Sequence, residues 1–257
     1  MARILLGAIQ VFRMSKRKCF TDTGLILTPE CIEEATSAGY WPNLTANDYL
    51  ERAVKATPDK IFIVDNNSVS NTSHHISYRK IDRLSRRIAS RLVSLGVDRG
   101  DVVALQLPNW WEFVAIHLAC VRIGAITNPL QPIFRERELK FMLGFAESKV
   151  LFIPEVFRGF QYRPMIESIQ ADLPDLKHLF TVGGRDRQFE REFIETRWED
   201  EIDTDDLIAE RQLEPNEVAE ICYTSGTTGQ PKGVMHTYNT LVACNGPTAA
   251  LDRKSVV

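Results

Sequence analysis

A chain of 257 residues with 44% hydrophobic and 25% charged residues is long enough to bury a full core and falls outside the disordered class. Its 31 basic and 34 acidic residues leave a net charge of -3, which gives no electrostatic reason to expect nucleic acid as a partner. No apolar run approaches the roughly 18 residues that a membrane-spanning helix needs, so no transmembrane segment is expected.

The opening stretch MARILLGAIQVFRMSKRKCF carries Arg3, Arg13, Lys16, Arg17 and Lys18 and no acid. That pattern fits an organelle-type leader. Because the stretch is short and poor in serine, it reads better as a tail, or as the product of an upstream start with translation from Met14. Residues 1–40 are expected to be an extension of uncertain structure, and residues 41–257 the domain proper. Cys19, Cys31, Cys120, Cys222 and Cys244 form no CxxC pair. They read as reduced, mostly buried thiols of a cytoplasmic protein, in preference to a metal site or a reactive thiol.

From Tyr40 onward the pattern is regular. Residues 43–56 predict a helix capped by Thr45 or Asn47, with Leu50, Ala53 and Val54 on one face, and Pro58 stops it. A short β-branched strand at 61–64 and a polar turn at 66–73 follow. Ile81, Leu84, Ile88, Leu92 and Leu95 recur at helical spacing over 78–95, and Gly96 caps that helix. Strands are predicted at 101–107, 125–127, 149–153 and 179–182. Helices are predicted at 111–121, 135–144 and near 163–171. Strand and helix alternate, which argues for an α/β fold: a doubly wound, mostly parallel sheet with helices on both faces. Residues 186–217 are acidic and polar, and read as a solvated connector rather than a metal-binding cluster.

The informative segment is VAEICYTSGTTGQPKGVMHTYNTL, residues 218–241. Residues 218–223 read as a buried strand and 233–235 as the start of another. Between them, the hydroxyls of Thr224, Ser225, Thr227 and Thr228 can donate to anionic oxygens. Gly226 and Gly229 permit positive φ, so successive backbone N–H groups can converge on one anion. Lys232, held clear by Pro231, adds a mobile positive charge. This donor set suits a polyphosphate. It is not the Walker-type loop, in which Gly-Lys-Ser/Thr opens a helix: here Lys232 follows Pro231, and a strand comes next. A bare Gly/Ser/Thr surface turn does not account for the flanking buried strand and the Pro-Lys-Gly exit.

YTSGTTGQPKG resembles the signature loop of the adenylate-forming (AMP-binding) superfamily, which contains acyl-CoA synthetases, luciferases and peptide-synthetase adenylation domains. GDVVALQL (residues 100–107), Pro108-Asn109, ACVRIGAITNP (119–129), RELKFML (137–143) and the strand at 150–153 stand in that family's order. The likeness runs from about Pro42 to Gly246. Residues 107–145 are most similar to ligases for medium-chain and cyclohexanecarboxylic acids.

The resemblance implies the following expectations. ATP and a small-molecule carboxylic acid give an acyl-adenylate and pyrophosphate, and the thiol of CoA then displaces AMP. Thr224, Ser225, Gly226, Thr227, Thr228 and Gly229 would cradle the β- and γ-phosphates. Lys232 would close over them as the catalytic cation, and Mg2+ would bridge phosphate oxygens. Tyr238 stands where a histidine is frequent beside the acyl site, with His236 two residues earlier, and both are candidates for substrate tuning. For His236 an ordinary strand position is an equal reading. His74-His75 reads as a solvated pair, His117 as a packing residue, and Trp110 or Trp111 as the anchor of its helix. The family's later motifs do not occur in these residues. The chain is therefore expected to be an incomplete N-terminal portion of the adenylate-forming fold, inactive alone. An adenylation domain loading a carrier protein and a non-catalytic remnant of a ligase gene are the alternatives.

Overall fold

The computed structural model describes residues 27–67, 71–211, 213–224 and 231–252, the side chains of 246–252 excepted. Ser225, Gly226, Thr227, Thr228 and Gly229 lie outside the described residues, as do Cys19 and the basic stretch near the N-terminus.

Helices α1 (Pro29–Ser37) and α2 (Ala46–Ala56) open the fold. Thr45, not Asn47, caps α2, in a reciprocal box with Asp48 that satisfies backbone donors left over by the first turn. Strands β1 (Ile61–Asn67) and β2 (Thr72–Ser77) form an antiparallel hairpin, and α3 (Tyr78–Ser94) follows with Gly96 at positive φ beyond its end. Next come β3 (Val102–Leu105), α4 (Trp111–Ile123), β4 (Ile126–Pro129), α5 (Glu136–Phe145) and β5 (Val150–Pro154). A small hairpin, β6 (Val156–Phe157) and β7 (Phe160–Gln161), leads to α6 (Tyr162–Ile169) and β8 (His178–Val182). The chain then passes through a π-helical turn at Glu190–Glu195, a 3-10 turn at Trp198–Asp200 and α7 (Thr204–Arg211). It ends in β9 (Val218–Thr224), β10 (Lys232–Thr237) and α8 (Tyr238–Asp252).

The main sheet is six-stranded in the order β10-β9-β4-β3-β5-β8. From the central β3 the chain steps to β4 on one side and then crosses to β5 on the other, which is the doubly wound pattern. All pairings are parallel except β10 on β9. The residues of β3 are buried on both faces, as a central parallel strand requires. Val103 and Leu105 pack beneath α3 and α4, and Ala104 faces α5 and α6. Trp110 is in the first of these cores and meets Phe157 edge-on, so it anchors the start of α4.

The structure corrects several expectations. Residues 186–217 are not a solvated connector. Phe189 and Phe193 are fully buried and stack on each other; Phe152 meets both edge-on and Phe180 meets Phe193 edge-on, at ring distances of 4.8–5.9 Å. The surrounding acids pair with arginines of α3: Glu199 with Arg87, Glu192 with Arg91 and Asp205 with Arg86. The alternation of acids with Phe189 and Phe193 marks a surface facing two ways, whereas composition alone shows only its charge. Within the turn expected at 66–73, the described residues 66–67 and 72–73 are strand, because β1 and β2 continue into it. Within residues 1–40, whose structure the sequence leaves open, Pro29–Ser37 form a helix capped by Thr28. The thiols are mixed: among the described cysteines Cys120 is buried, Cys222 half-buried, and Cys31 and Cys244 exposed.

Candidate functional site

The ends of β9 and β10 frame the loop. Thr224 is opposite Lys232, Cys222 opposite Val234, and Glu220 opposite His236. Directly opposed residues of an antiparallel pair share a face. Thr224, Cys222 and Glu220 therefore line up with Lys232, Val234 and His236 on one face of the hairpin. The other face is tied to the body of the domain. Tyr223 donates its hydroxyl to the Met142 carbonyl at 2.8 Å, and Ile221 and Met235 pack with Val102, Ile126 and Ala146. Residues 225–231 thus connect two strand ends that stand side by side on a fixed base.

Thr224 is exposed and Lys232 half-buried. Among the described residues the lysine ion pairs are Lys140 with Asp172 and Lys149 with Asp101, so the Lys232 ammonium is left for another anion. His236 is half-buried on the same face. Tyr238 is placed differently. It is 2% exposed, packs with Val121 and Ala219, and its sealed hydroxyl has no partner. Burial pushes that phenol well above its ordinary range.

Below the loop lies a polar group that sequence reading missed. The register changes from His236 opposite Glu220 to Thr237 opposite Val218, which leaves Ala219 as an extra residue in β9, a β-bulge. A bulge can turn consecutive side chains toward one side: Ala219 and Glu220 both meet α4. The Glu220 carboxylate accepts the Cys222 thiol at 2.9 Å and stands 4.0 Å from His117 Nδ1. The His117 ring lies 3.1 Å from Thr127 Oγ1, and that hydroxyl donates its hydrogen to the Ala219 carbonyl. With the hydroxyl hydrogen so used, His117 Nδ1 is the donor to Thr127, and the neutral ring is the Nδ1–H tautomer. Burial lowers the His117 pKa, and Glu220 opposes that shift. Desolvation and the neighbouring carboxylate push the Cys222 thiol up to about 12, so it is inert as a nucleophile. The signal was in the sequence: an acid within the otherwise apolar strand AEICY.

A second buried acid is Glu112, in the first turn of α4 and 8% exposed. Desolvation, reinforced by Asp65 and Glu190, raises its pKa to about 8. Oxygens of all three carboxyls are buried without hydrogen-bond partners. Among the described residues no group of His, Cys, Asp and Glu could hold a metal ion, and no helix is long and apolar enough to cross a membrane. The pair His74-His75 lies in β2, with His74 opposite Asp65.

A family profile described as AMP-binding enzyme matches residues 50–252. The chain belongs to the AMP-binding family. It is 34% identical over 205 residues to the medium-chain fatty-acid–CoA ligase of Escherichia coli, a match that covers 80% of this chain and 35% of that protein. It is 31% identical over 227 residues to the salicyl-AMP ligase / salicyl-S-ArCP synthetase of Mycobacterium tuberculosis, covering 85% of this chain and 38% of that protein. Among solved structures, a long-chain-fatty-acid–CoA ligase from Archaeoglobus fulgidus aligns with a TM-score of 0.64 and 25% identity over 82% of this chain and 40% of its own. Mycobacterium smegmatis MbtA aligns with a TM-score of 0.67 at 24% identity, over 88% of this chain and 40% of its own, a likeness of fold. The chain spans little more than a third of the length of the curated AMP-binding relatives it matches.

Proposed function

We propose that this chain is the nucleotide-phosphate-binding part of an ATP-dependent acid–thiol ligase, which activates a fatty or alicyclic carboxylic acid as its adenylate and passes the acyl group to CoA. The observation that carries this reading is the pairing of Thr224 with Lys232. It brings an exposed hydroxyl and an ammonium with no carboxylate partner among the described residues to the two ends of the segment SGTTGQP. A carboxylate is a poor acylating agent because its leaving group would be oxide, and adenylation supplies a better one. That chemistry rests on positioning and on charge stabilisation at the phosphates. In this reading residues 224–229 cradle the β- and γ-phosphates, Lys232 neutralises charge that develops on the departing pyrophosphate, and Mg2+ arrives on the nucleotide. The donors at hand, hydroxyl and ammonium, suit anionic oxygen and not a neutral ligand. His236 stands on the loop's face and is the candidate for contact with the acyl group. Tyr238 is proposed to shape that site from behind. Residues 41–257 form the incomplete N-terminal portion of the adenylate-forming domain, in a cytoplasmic setting.

The relation to the salicyl-S-ArCP synthetase favours a second reading, in which the acceptor is a carrier protein. A carrier domain encoded downstream would select it. Calorimetric titration of the chain with MgATP tests the phosphate site. Saturable binding is expected, weakened about tenfold to hundredfold in Lys232→Ala, as for loss of a hydrogen bond from a charged group. No binding at millimolar MgATP by the folded chain sinks the proposal. ATP–pyrophosphate exchange with octanoate, cyclohexanecarboxylate or benzoate is expected to be absent from the 257-residue chain, because the family's later motifs are not in it. Robust exchange would overturn that expectation.

A further inference from the structure

Glu220 raises a question of charge. It is on the same face of the β9–β10 hairpin as Thr224 and Lys232, and its side chain is 17% exposed. Thr224 lies four residues further along the strand, roughly 13 Å at the usual rise. A carboxylate there is of no use to an anionic ligand, and an enclosed charge persists only when other groups hold it. The groups that face it come from each neighbouring element: Cys222 from β9 itself, His236 from β10, His117 from α4 and Thr127 from β4. Three of these contacts converge on the bulge. Thr127 holds the Ala219 carbonyl, His117 spans Thr127 and Glu220, and Cys222 closes on Glu220 from above. A bulge bends and twists its strand, so whatever fixes it also fixes the direction in which β9 delivers Thr224 to the loop.

We propose that Glu220 is a positioning residue for the phosphate loop, joined through His117 and Thr127 to α4 and β4, so that the protonation state of His117 sets the aim of β9. Neutral His117 leaves Glu220 held by Cys222 alone, and protonated His117 adds an ion pair that draws the bulge toward α4. The inference rests on reading residues 224–232 as the nucleotide site, but its first test does not.

The experiment uses the full chain, wild type and Glu220→Gln, with Glu220→Asp as the variant that keeps the charge. Histidine ring resonances are followed by NMR from pH 5 to 8.5. Removing the carboxylate is expected to move the His117 midpoint to lower pH, because an opposite charge favours the imidazolium, and Glu220→Asp is expected to move it less. MgATP affinity is then measured across the same range. The wild type is expected to show a step at the His117 midpoint, and Glu220→Gln a flat profile, with matched far-UV circular dichroism. An unmoved His117 midpoint in both variants overturns the proposal whether or not the chain binds ATP. A shifted midpoint together with an unchanged MgATP profile refutes the link to the loop. If Glu220→Gln does not fold, Glu220→Asp decides by the same two readouts. Absence of MgATP binding in all proteins condemns the nucleotide reading and the link to it, and the coupling of Glu220 to His117 is judged on the midpoint.

Discussion

Replacing Glu112 with glutamine tests the buried acid at the start of α4. The folded-state pKa of Glu112 is raised from 4.5 to about 8 by desolvation first, then by Asp65 and Glu190. The folded protein therefore holds a proton that the unfolded chain releases. The stability this proton supports is fully present below pH 4.5, falls as pH rises, and is lost once pH passes through about 8. The full shift corresponds to about 5 kcal/mol at 1.36 kcal/mol per unit. That figure is a ceiling, because water entry relaxes the charged state. Even a third of it, about 1.6 kcal/mol, shifts Tm by roughly 3–6 °C for a domain of this size. Glutamine is neutral at every pH. Thermal melts of both proteins from pH 5 to 9 should therefore start with similar Tm values and diverge, with Glu112→Gln the more stable at the alkaline end. Asp65→Asn should make the divergence smaller and complete it at a lower pH, since relieving the like charge lowers the Glu112 pKa. Parallel Tm-against-pH curves for wild type and Glu112→Gln would refute the claim that this carboxyl is protonated in the fold at neutral pH.

Gly124 ends α4 at φ 69°, and a Cβ there would meet Leu213 Cδ2 at 2.4 Å and Arg99 Cγ at 3.1 Å. Gly124→Ala should cost about 1–2 kcal/mol through the left-handed backbone and the crowding together, read as a lower urea midpoint at unchanged m. Phe193→Ala should cost about 3–5 kcal/mol as a core deletion, whereas a solvated connector would tolerate it within about 0.5 kcal/mol; chemical denaturation distinguishes the two.

The architecture was legible because each sheet strand announces itself locally. VVAL and VLFI are continuous apolar runs between turn residues, and the helical spacing of Ile81, Leu84, Ile88 and Leu92 leaves one reading. The candidate loop stands out in the sequence because its hydroxyls, glycines and lysine are contiguous. The polar group beneath it left one local trace, the acid within AEICY; its assembly does not show, because Thr127, His117 and Glu220 are brought together by strand order and by a bulge, and neither has a local signature. Phe189 and Phe193 were hidden for the opposite reason, since the acids around them dominate the composition while their partners, Arg87 and Arg91, belong to a helix about a hundred residues earlier. Tyr238 shows a third limit. Its position after the strand suggests an open site, and only the packing of Val121 and Ala219 reveals a closed one.

The ties between α3 and residues 190–205 join positions 101–119 apart in the chain, and β9 docks on β4 across a separation of 92. The strands β3, β4 and β5, by contrast, are consecutive. Contact order therefore orders assembly: the parallel centre can close early, while the strand pair that frames the loop waits for a long excursion of chain to be recovered. The hairpin also lies at the edge of the sheet, so the part of the molecule assigned to ligand chemistry folds only once distant sequence has been recovered.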